Sequence, residues 1–399
     1  MQSYRIGFDA IRALRNTTGL GNYARGVLRG LHQHNPRLAI HLYAPDPGRD
    51  EFRHLPRELG ATLHLPPRSI VPLSRAVWRT CRLGRAAAKD AVQLYHGLTH
   101  EIPRDIPGTG IPSIVSFADL IYEKFPRYFP LVDRWSYRWR YHWSATHATA
   151  LVAISEQTRD DLVAWYGIDP ARIAVIPPAR HPAFTASVTA PARSAVCAKY
   201  GIPSEFLLSV GTLEQRKNHR GLLAALGALA PADALPLVLV GRDGGAHQDL
   251  QHEIAARGLA ARVRLLTGVA TDDLPALVES ATLFLYPSLV EGFGMPIVEA
   301  LSAGTPVIAS AGGCFVEAGG PQSRYVSPND SAAWAAAIRE LLADAPARGR
   351  MRDAGRRWAT QFDGARLATQ LVAVYDAVLG GNPLPARPPM AEVAVARAH

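Results

Sequence analysis

Two glutamates eight residues apart, Glu291 and Glu299, bracket the segment EGFGMPIVE, which follows the apolar run TLFLYPS closely. Pro296 suits the first turn of a helix, so Glu299 is expected on a helix and Glu291 in the loop before it. Gly292 and Gly294 free the backbone between them, and its N–H groups would meet ligand hydroxyls while the carboxylates accept hydrogen bonds from others. Without the glycines, a loop acid and a helix acid would carry little information. Upstream, LEQRKNHRGLLAAL follows the run FLLSVGT and presents two adjacent cations, Arg216 and Lys217, just beyond Gly211 and Thr212. Such a pair balances a diphosphate and would stabilise the charge growing on a departing phosphate; an exposed basic loop is the plainer alternative. Near the N-terminus, RNTTGLGNYARGVLRGL sets Gly19 and Gly21 before an apolar-faced helix, where backbone N–H groups approach phosphate or sugar oxygens closely. A Gly-X-Gly turn is as often plain turn chemistry, and no G-x-x-x-x-G-K-[ST] pattern makes it a P-loop.

These residues need elements to hold them. Short apolar runs recur with helical stretches between: YRIGFDA, AIHLYA, ATLHLP, VQLYHG, SIVSFAD, ALVAIS and RIAVIP, then FLLSVGT, LVLVGR, VRLLTG, TLFLYPS, PVIAS and RYVSP. Near-continuous apolar strands alternating with helices predict parallel sheets covered on both faces, here two doubly wound α/β domains facing a cleft. The expected boundaries are an N-terminal domain at 1–178, a Pro- and Ala-rich linker at 179–204, a second domain at 205–362, a helix at 363–380 and a disordered Pro-rich tail at 381–399. In open sheets of this kind ligands bind beyond the carboxyl ends of the strands, where all three chemical segments lie.

Bulk properties narrow the class. A chain of 399 residues with 48% hydrophobic and 19% charged residues is ordinary for a globular protein of two domains. Its three cysteines, Cys81, Cys197 and Cys314, fit neither a disulfide framework nor a zinc site and point to a reducing compartment. No run of 18 apolar residues occurs and the N-terminus shows no signal-peptide pattern, so a cytoplasmic protein is expected. The net charge of +9 resides in one half: residues 1–180 hold 24 Lys and Arg against 15 Asp and Glu, whereas 181–399 hold 19 of each. That asymmetry predicts an anionic partner for the N-terminal half, a membrane surface or a phosphorylated ligand; with no nucleic-acid motif present, DNA or RNA ranks last.

The motifs taken together resemble retaining glycosyltransferases of family 4, which have the GT-B fold. The resemblance runs from Ile6 to Val378 through TGLGNYARG, VGTLEQRKN, LVGRDG, TGVATDDLPAL, LYPSLVEGFGMPIVEALSAGTPVIAS, VEAGG and VSPND. It implies that Glu291 binds hydroxyls of the transferred sugar, assisted by main chain at Phe293, Gly294 and Met295, and that Glu299 holds the ribose. Arg216 and Lys217 would bind the diphosphate of a nucleotide-sugar donor, with Gly211 and Thr212 beside them. Val269 would meet the base through its backbone, and Gly19 with Gly21 would border the donor. Family members often carry His-Asp-Leu after the fifth strand; this chain reads FADL, with Ala118 for the histidine and Asp119 retained. His96 and His100, in LYHGLTHEIP, are the nearest substitutes on the acceptor side, against the commoner fate of a structural histidine.

The reaction implied is transfer of a sugar to a glycan or lipid-linked acceptor with retention and, for want of an Asp cluster, without a metal or other cofactor. A mannosyl donor linked to GDP is favoured by likeness to bacterial surface-polysaccharide enzymes, with UDP and rhamnosyl donors close behind. A sugar-nucleotide epimerase and a noncatalytic nucleotide-sugar binder remain as alternatives. The helix LSRAVWRTCRLGRAAAKDA, with Arg75, Arg79, Arg82, Arg85, Lys89 and Trp78, is expected to rest on an anionic membrane; the stripe Trp135, Trp139 and Trp143, among Arg134, Arg138 and Arg140, is the second candidate for that contact, with core packing the commoner fate of such a stripe.

Overall fold

The computed structural model describes residues 4–36, 38–67, 72–233 and 235–386. Every apolar run named above forms a strand. The first seven are β1 (Arg5–Asp9), β2 (Ala39–Tyr43), β3 (Thr62–His64), β4 (Leu94–Gly97), β5 (Ser113–Phe117), β6 (Ala150–Ala153) and β7 (Ile173–Val175). They pair in parallel in the order β3-β2-β1-β4-β5-β6-β7. The other six are β8 (Leu207–Val210), β9 (Leu237–Val240), β10 (Val263–Leu266), β11 (Leu283–Tyr286), β12 (Val307–Ser310) and β13 (Arg324–Val326), all parallel in the order β10-β9-β8-β11-β12-β13. Each sheet therefore reverses its strand order once, at β1/β4 and at β8/β11, the places where a doubly wound sheet opens a ligand site.

The chain divides into two compact units. The first runs to Ala179 and takes the chain back from Phe362; the second is Arg180–Gln361. In the first, successive strand residues point to opposite layers: Ile114 and Val152 join a core with Ile6, Phe8 and Leu28, while Val115, Phe117, Leu151 and Ala153 join another with Tyr95 and Leu162. The C-terminal helix Gly364–Gly380 belongs to this unit, because Leu367, Leu371, Val374 and Tyr375 are buried in the layer that holds Ile6 and Phe8. At about 1.5–3 kcal/mol for each large apolar side chain buried, these four anchor the helix firmly.

The stretch 179–204, whose sequence offers one short helical candidate, holds one α-helix. Thr189 precedes a helix, Ala190–Lys199, that fastens to the second unit through Arg193 with Glu279 (3.1 Å) and Lys199 with Asp273 (2.7 Å). Tyr200 adds its hydroxyl to Asp273 at 2.7 Å. Its alanines favour helix over coil, which a reading by Pro and Ser content undervalues. Of the expected tail, 387–399 lie outside the described residues.

Two further expectations are corrected in the first unit. Trp78, on the helix Pro72–Cys81, is only 6% exposed and sits in the core with Tyr95 and Leu83. Arg79 turns inward onto Asp9 (2.6 Å) and Glu101 (3.5 Å). Arg75 remains exposed on this helix, and Arg82, Arg85 and Lys89 are exposed at the break after it and on the separate helix Leu83–Lys89, so the single basic helix with an aromatic flank expected from sequence is not formed. The tryptophans of Leu131–His147 behave oppositely: Trp135 and Trp139 are 72% and 54% exposed, and only Trp143 is partly buried.

Candidate active site

In the second unit the loops after β8 and β11 lie side by side, because those strands are neighbours at the point of reversal. After β8 the chain makes one tight turn at Gln215–Lys217 and leaves it through Asn218, which adopts a left-handed backbone (φ 53°) and starts the helix His219–Gly227. The Asn218 amide donates to the carbonyls of Pro287 (3.2 Å) and Pro328 (2.7 Å), and Leu289 N–H donates to the Arg216 carbonyl at 2.8 Å. These bonds tie the loops after β8 and β11 to each other and to the loop after β13.

Held this way, Lys217 Nζ donates to Glu291 Oε1 at 2.5 Å and to the Tyr286 hydroxyl at 3.1 Å. Arg216 Nη1 donates to Glu291 Oε2 at 2.8 Å and to the Val290 carbonyl at 3.3 Å, while its Nη2 meets Glu214 at 2.8 Å. One carboxylate thus bridges both cations. Burial alone would raise the Glu291 carboxyl, but Lys217 and Arg216 outweigh it and hold the group at about 2. Burial lowers the Lys217 ammonium, partly opposed by Glu291. A carboxylate so acidic, with both oxygens engaged, is a poor base and a poor nucleophile at neutral pH. What the arrangement offers is an ordered, charged surface.

Glu299 sits on the helix Met295–Ala303, as expected, one position past buried Val298. Among the described residues it has no ion-pair or hydrogen-bond partner, and burial pushes its carboxyl up to about 8. The helix opens at Gly294, whose φ of 112° is a conformation only glycine adopts comfortably. Phe293 beside it is buried, Met295 half-buried, and the Glu291 carbonyl accepts from Cys314 Sγ at 3.2 Å. Gly211 lies against the Lys217 stem: a Cβ there would meet Lys217 Cδ at 3.5 Å. Thr212 and Val269 are half-buried in the loops after β8 and β10.

The first unit has its own strand-end constellation. Gly19 and Gly21 stand not before the helix but in its first turn, Gly19–His34: a Cβ on Gly21 would fall 1.9 Å from the Asn16 carbonyl oxygen, while Gly19 is exposed, with open space around it. His96 is fully buried. Its Nδ1 is bonded to the Tyr375 hydroxyl (2.7 Å) and its Nε2 to Ser116 Oγ (2.8 Å), so it fastens the C-terminal helix and has no nitrogen left for an acceptor. This corrects the expectation for His96 in favour of a structural histidine. His100 differs. Its Nε2 accepts from Ala118 N–H at 3.1 Å, which leaves the proton on Nδ1, and its ring stacks on Tyr141 with centroids 4.7 Å apart. The His100 imidazole therefore touches Ala118, the position where the family resemblance expects a histidine. Asp119 Oδ1 accepts from Ile121 N–H at 3.1 Å, at the start of the short turn of helix Ile121–Lys124.

Comparison with known proteins agrees with this layout. Residues 198–358 match the family described as Glycosyl transferases group 1, and residues 18–179 match the Glycosyl transferase 4-like domain. Over 291 residues the chain is 31% identical to the O-antigen chain mannosyltransferase B of Escherichia coli, covering 71% of this chain and 74% of that protein. The chain belongs to glycosyltransferase family 4. Solved structures show the same GT-B fold: a glycosyltransferase from Rickettsia africae superposes with a TM-score of 0.75 at 17% identity, covering 95% of this chain and 99% of that one. HepE of Anabaena, in complex with UDP and glucose, does so with a TM-score of 0.70 at 19% identity over 94% and 100%.

Four residues around the glycosyltransferase's charged cluster are absent from the sequence candidates. Tyr286 ends β11 within an apolar run, and Glu214 stands two residues before Arg216. Asn218 and Cys314 act through geometry that composition does not reveal. The position of Tyr286 at the carboxyl end of the central strand was the signal available for it.

Proposed function

We propose that this glycosyltransferase moves a sugar from a nucleoside diphosphate donor to a hydroxyl of a glycan or lipid-linked acceptor, with the anomeric configuration retained and without a metal ion. The observation that carries the reading is the bridge Lys217–Glu291–Arg216 on the two loops at the β8/β11 reversal. An arriving diphosphate competes with Glu291 for the cations, which then stabilise the charge left on the nucleoside diphosphate as the glycosidic bond breaks. Glu291, turned partly from its cations to the sugar, accepts from sugar hydroxyls, and the N–H groups from Phe293 to Met295 face the same ligand. Glu299 takes the ribose, Val269 the base through its main chain, and Gly211 with Thr212 border the phosphates. On the acceptor side, His100 and Asp119 stand in for the missing histidine, with Gly19 flanking the donor.

Mannose from GDP-mannose is the favoured donor, on the strength of the mannosyltransferase relative. The test is a thermal-shift screen of GDP, UDP and dTDP sugars followed by turnover with the stabilising donor. GDP-mannose should give the largest shift, the product should retain the donor's anomeric configuration, and EDTA should leave the rate unchanged. Loss of turnover in EDTA that magnesium restores would refute metal independence, and a donor altered without any acceptor would indicate an epimerase instead.

A further inference from the structure

The structure exposes eight large apolar side chains among its described residues, and four of them, Leu131, Val132, Trp135 and Trp139, lie on the first turns of one helix, Leu131–His147. With about 3.6 residues per turn these four fall on one face. The opposite face supplies Tyr141, Ser144 and Ala145 to the core, so the helix is held in place by one side and bare on the other. The two exposed indoles are parallel, with ring centroids 6.5 Å apart, and the Arg104 guanidinium lies 3.6 Å from the centre of the Trp139 ring. Leu131 and Val132 are 76% and 78% exposed, more than a globular surface leaves without reason on one turn.

The rim of this stripe is basic. From Lys124 to His147 the chain carries Lys124, Arg127, Arg134, Arg138 and Arg140 against a single acid, Asp133. Three of these cations pair with acids outside that stretch, Arg138 with Glu123, Arg140 with Glu101 at 3.1 Å and Lys124 with Asp161 at 2.9 Å, which leaves Arg127 and Arg134 as the cations without an acid partner among the described residues and fixes the paired stems beside the apolar face. A second copy of the chain docking here about a two-fold axis would set this rim against itself, like charge on like. An anionic bilayer complements it. Indoles settle at the headgroup boundary, short aliphatic residues enter the acyl edge, and arginines meet lipid phosphates.

We infer that the outer face of Leu131–His147, led by Leu131, Val132, Trp135 and Trp139, docks the protein on an anionic membrane surface. The inference does not depend on the donor, the acceptor or the catalytic roles assigned above. It also reverses the order of the two candidates from sequence, which preferred the helix Pro72–Cys81, whose Trp78 is in the core.

The test uses the full chain and vesicles of phosphatidylglycerol with phosphatidylethanolamine, alongside vesicles of phosphatidylcholine alone. The wild type should co-sediment with the anionic vesicles, bind the neutral ones more weakly, and show a blue-shifted tryptophan emission on binding. The double variant Val132→Ser, Trp135→Ser should lose about tenfold or more of the binding while keeping its melting temperature, since these side chains are 78% and 72% exposed. Wild-type protein that stays in the supernatant with anionic vesicles overturns the inference. So does a double variant that binds as the wild type does, or a wild-type dimer that the variant converts to monomer while vesicle binding is absent.

Discussion

Glu291→Gln keeps the shape of the side chain and removes its charge, leaving two buried cations that share no carboxylate. Lys217 and Glu291 have side chains only 10% and 11% exposed, and Arg216 retains Glu214 as a second partner. Removing one member of a buried ion pair costs about 3–5 kcal/mol. Lys217, whose ammonium burial already disfavours, can shed its proton and limit the loss, so about 3 kcal/mol is expected at the lower end of that range. For a unit of this size that is a fall of about 6–12 °C in melting temperature. A nucleoside diphosphate brings back the missing negative charge. The variant should therefore show a larger thermal shift with GDP than the wild type does, while sugar transfer falls about a hundredfold or more. The pH dependence follows from the depressed carboxyl. Its contribution is complete above the unfolded value near 4.5 and is lost as pH falls towards 2, so the gap between wild type and variant should close in acid; it should also narrow as pH rises, because Lys217 of the variant then gives up its proton more readily. The assays are scanning fluorimetry across pH and nucleotide concentration, with transfer measured beside them. A variant as stable as wild type, losing GDP affinity in step with transfer, would refute both the electrostatic bridge and the separation of binding from transfer.

Glu299 should show the reverse pH signature. Its raised carboxyl keeps a proton in the folded state that the unfolded chain has lost, so stability should fall as pH rises from about 4.5 to about 8, by at most about 1.4 kcal/mol for each pH unit. Glu299→Gln should flatten that decline in chemical denaturation and weaken nucleotide affinity, and an unchanged slope would refute it. His96→Phe should destabilise the first unit by about 1–3 kcal/mol, since two buried hydrogen-bonding groups lose their partner, yet leave GDP affinity unaltered. Because burial depresses the His96 imidazole to about 3, its neutral form is favoured fully above pH 6.5 and the wild type should lose that advantage as pH falls from there. Calorimetry of the variant against pH checks both points, and a fall in GDP affinity equal to the fall in stability would contradict the structural role.

The strands were legible because a parallel sheet covered on both faces writes an apolar run for each one, with little else in a soluble chain resembling it. Glu291, Arg216 and Lys217 were legible because doubly wound sheets bind ligands at strand ends, and these three charged residues follow two strands that prove to be neighbours. What stayed hidden was direction. Trp78 and Trp135 both occur among arginines at helical spacing, and only the packing partners decide that the first joins Tyr95 and Leu83 while the second faces solvent. Arg79 looked like a surface charge until Asp9 and Glu101, 70 and 22 residues away in sequence, came beside it. Likewise the helix at 190–199 owes its place to Asp273 and Glu279, which no local window contains.

The two glutamates that bracket EGFGMPIVE are chemically identical and end on opposite sides of neutrality, one near 2 and the other near 8. Burial pushes both upward; the difference is made by the cations of the neighbouring loop, which reach only Glu291. A fixed negative charge is suited to holding Arg216 and Lys217 apart from solvent and releasing them to a diphosphate. A carboxyl that titrates near 8 is suited to neutral hydroxyl partners, since it donates when protonated and accepts when not. If the ribose hydroxyls bind the ionised form, nucleotide binding must expel a proton below pH 8, and GDP affinity in the wild type should rise with pH between 6 and 8. In Glu299→Gln that rise should vanish. Isothermal titration in buffers of different ionisation enthalpy measures the proton directly, and its absence from the wild type would mean that Glu299 binds the ribose as a neutral donor.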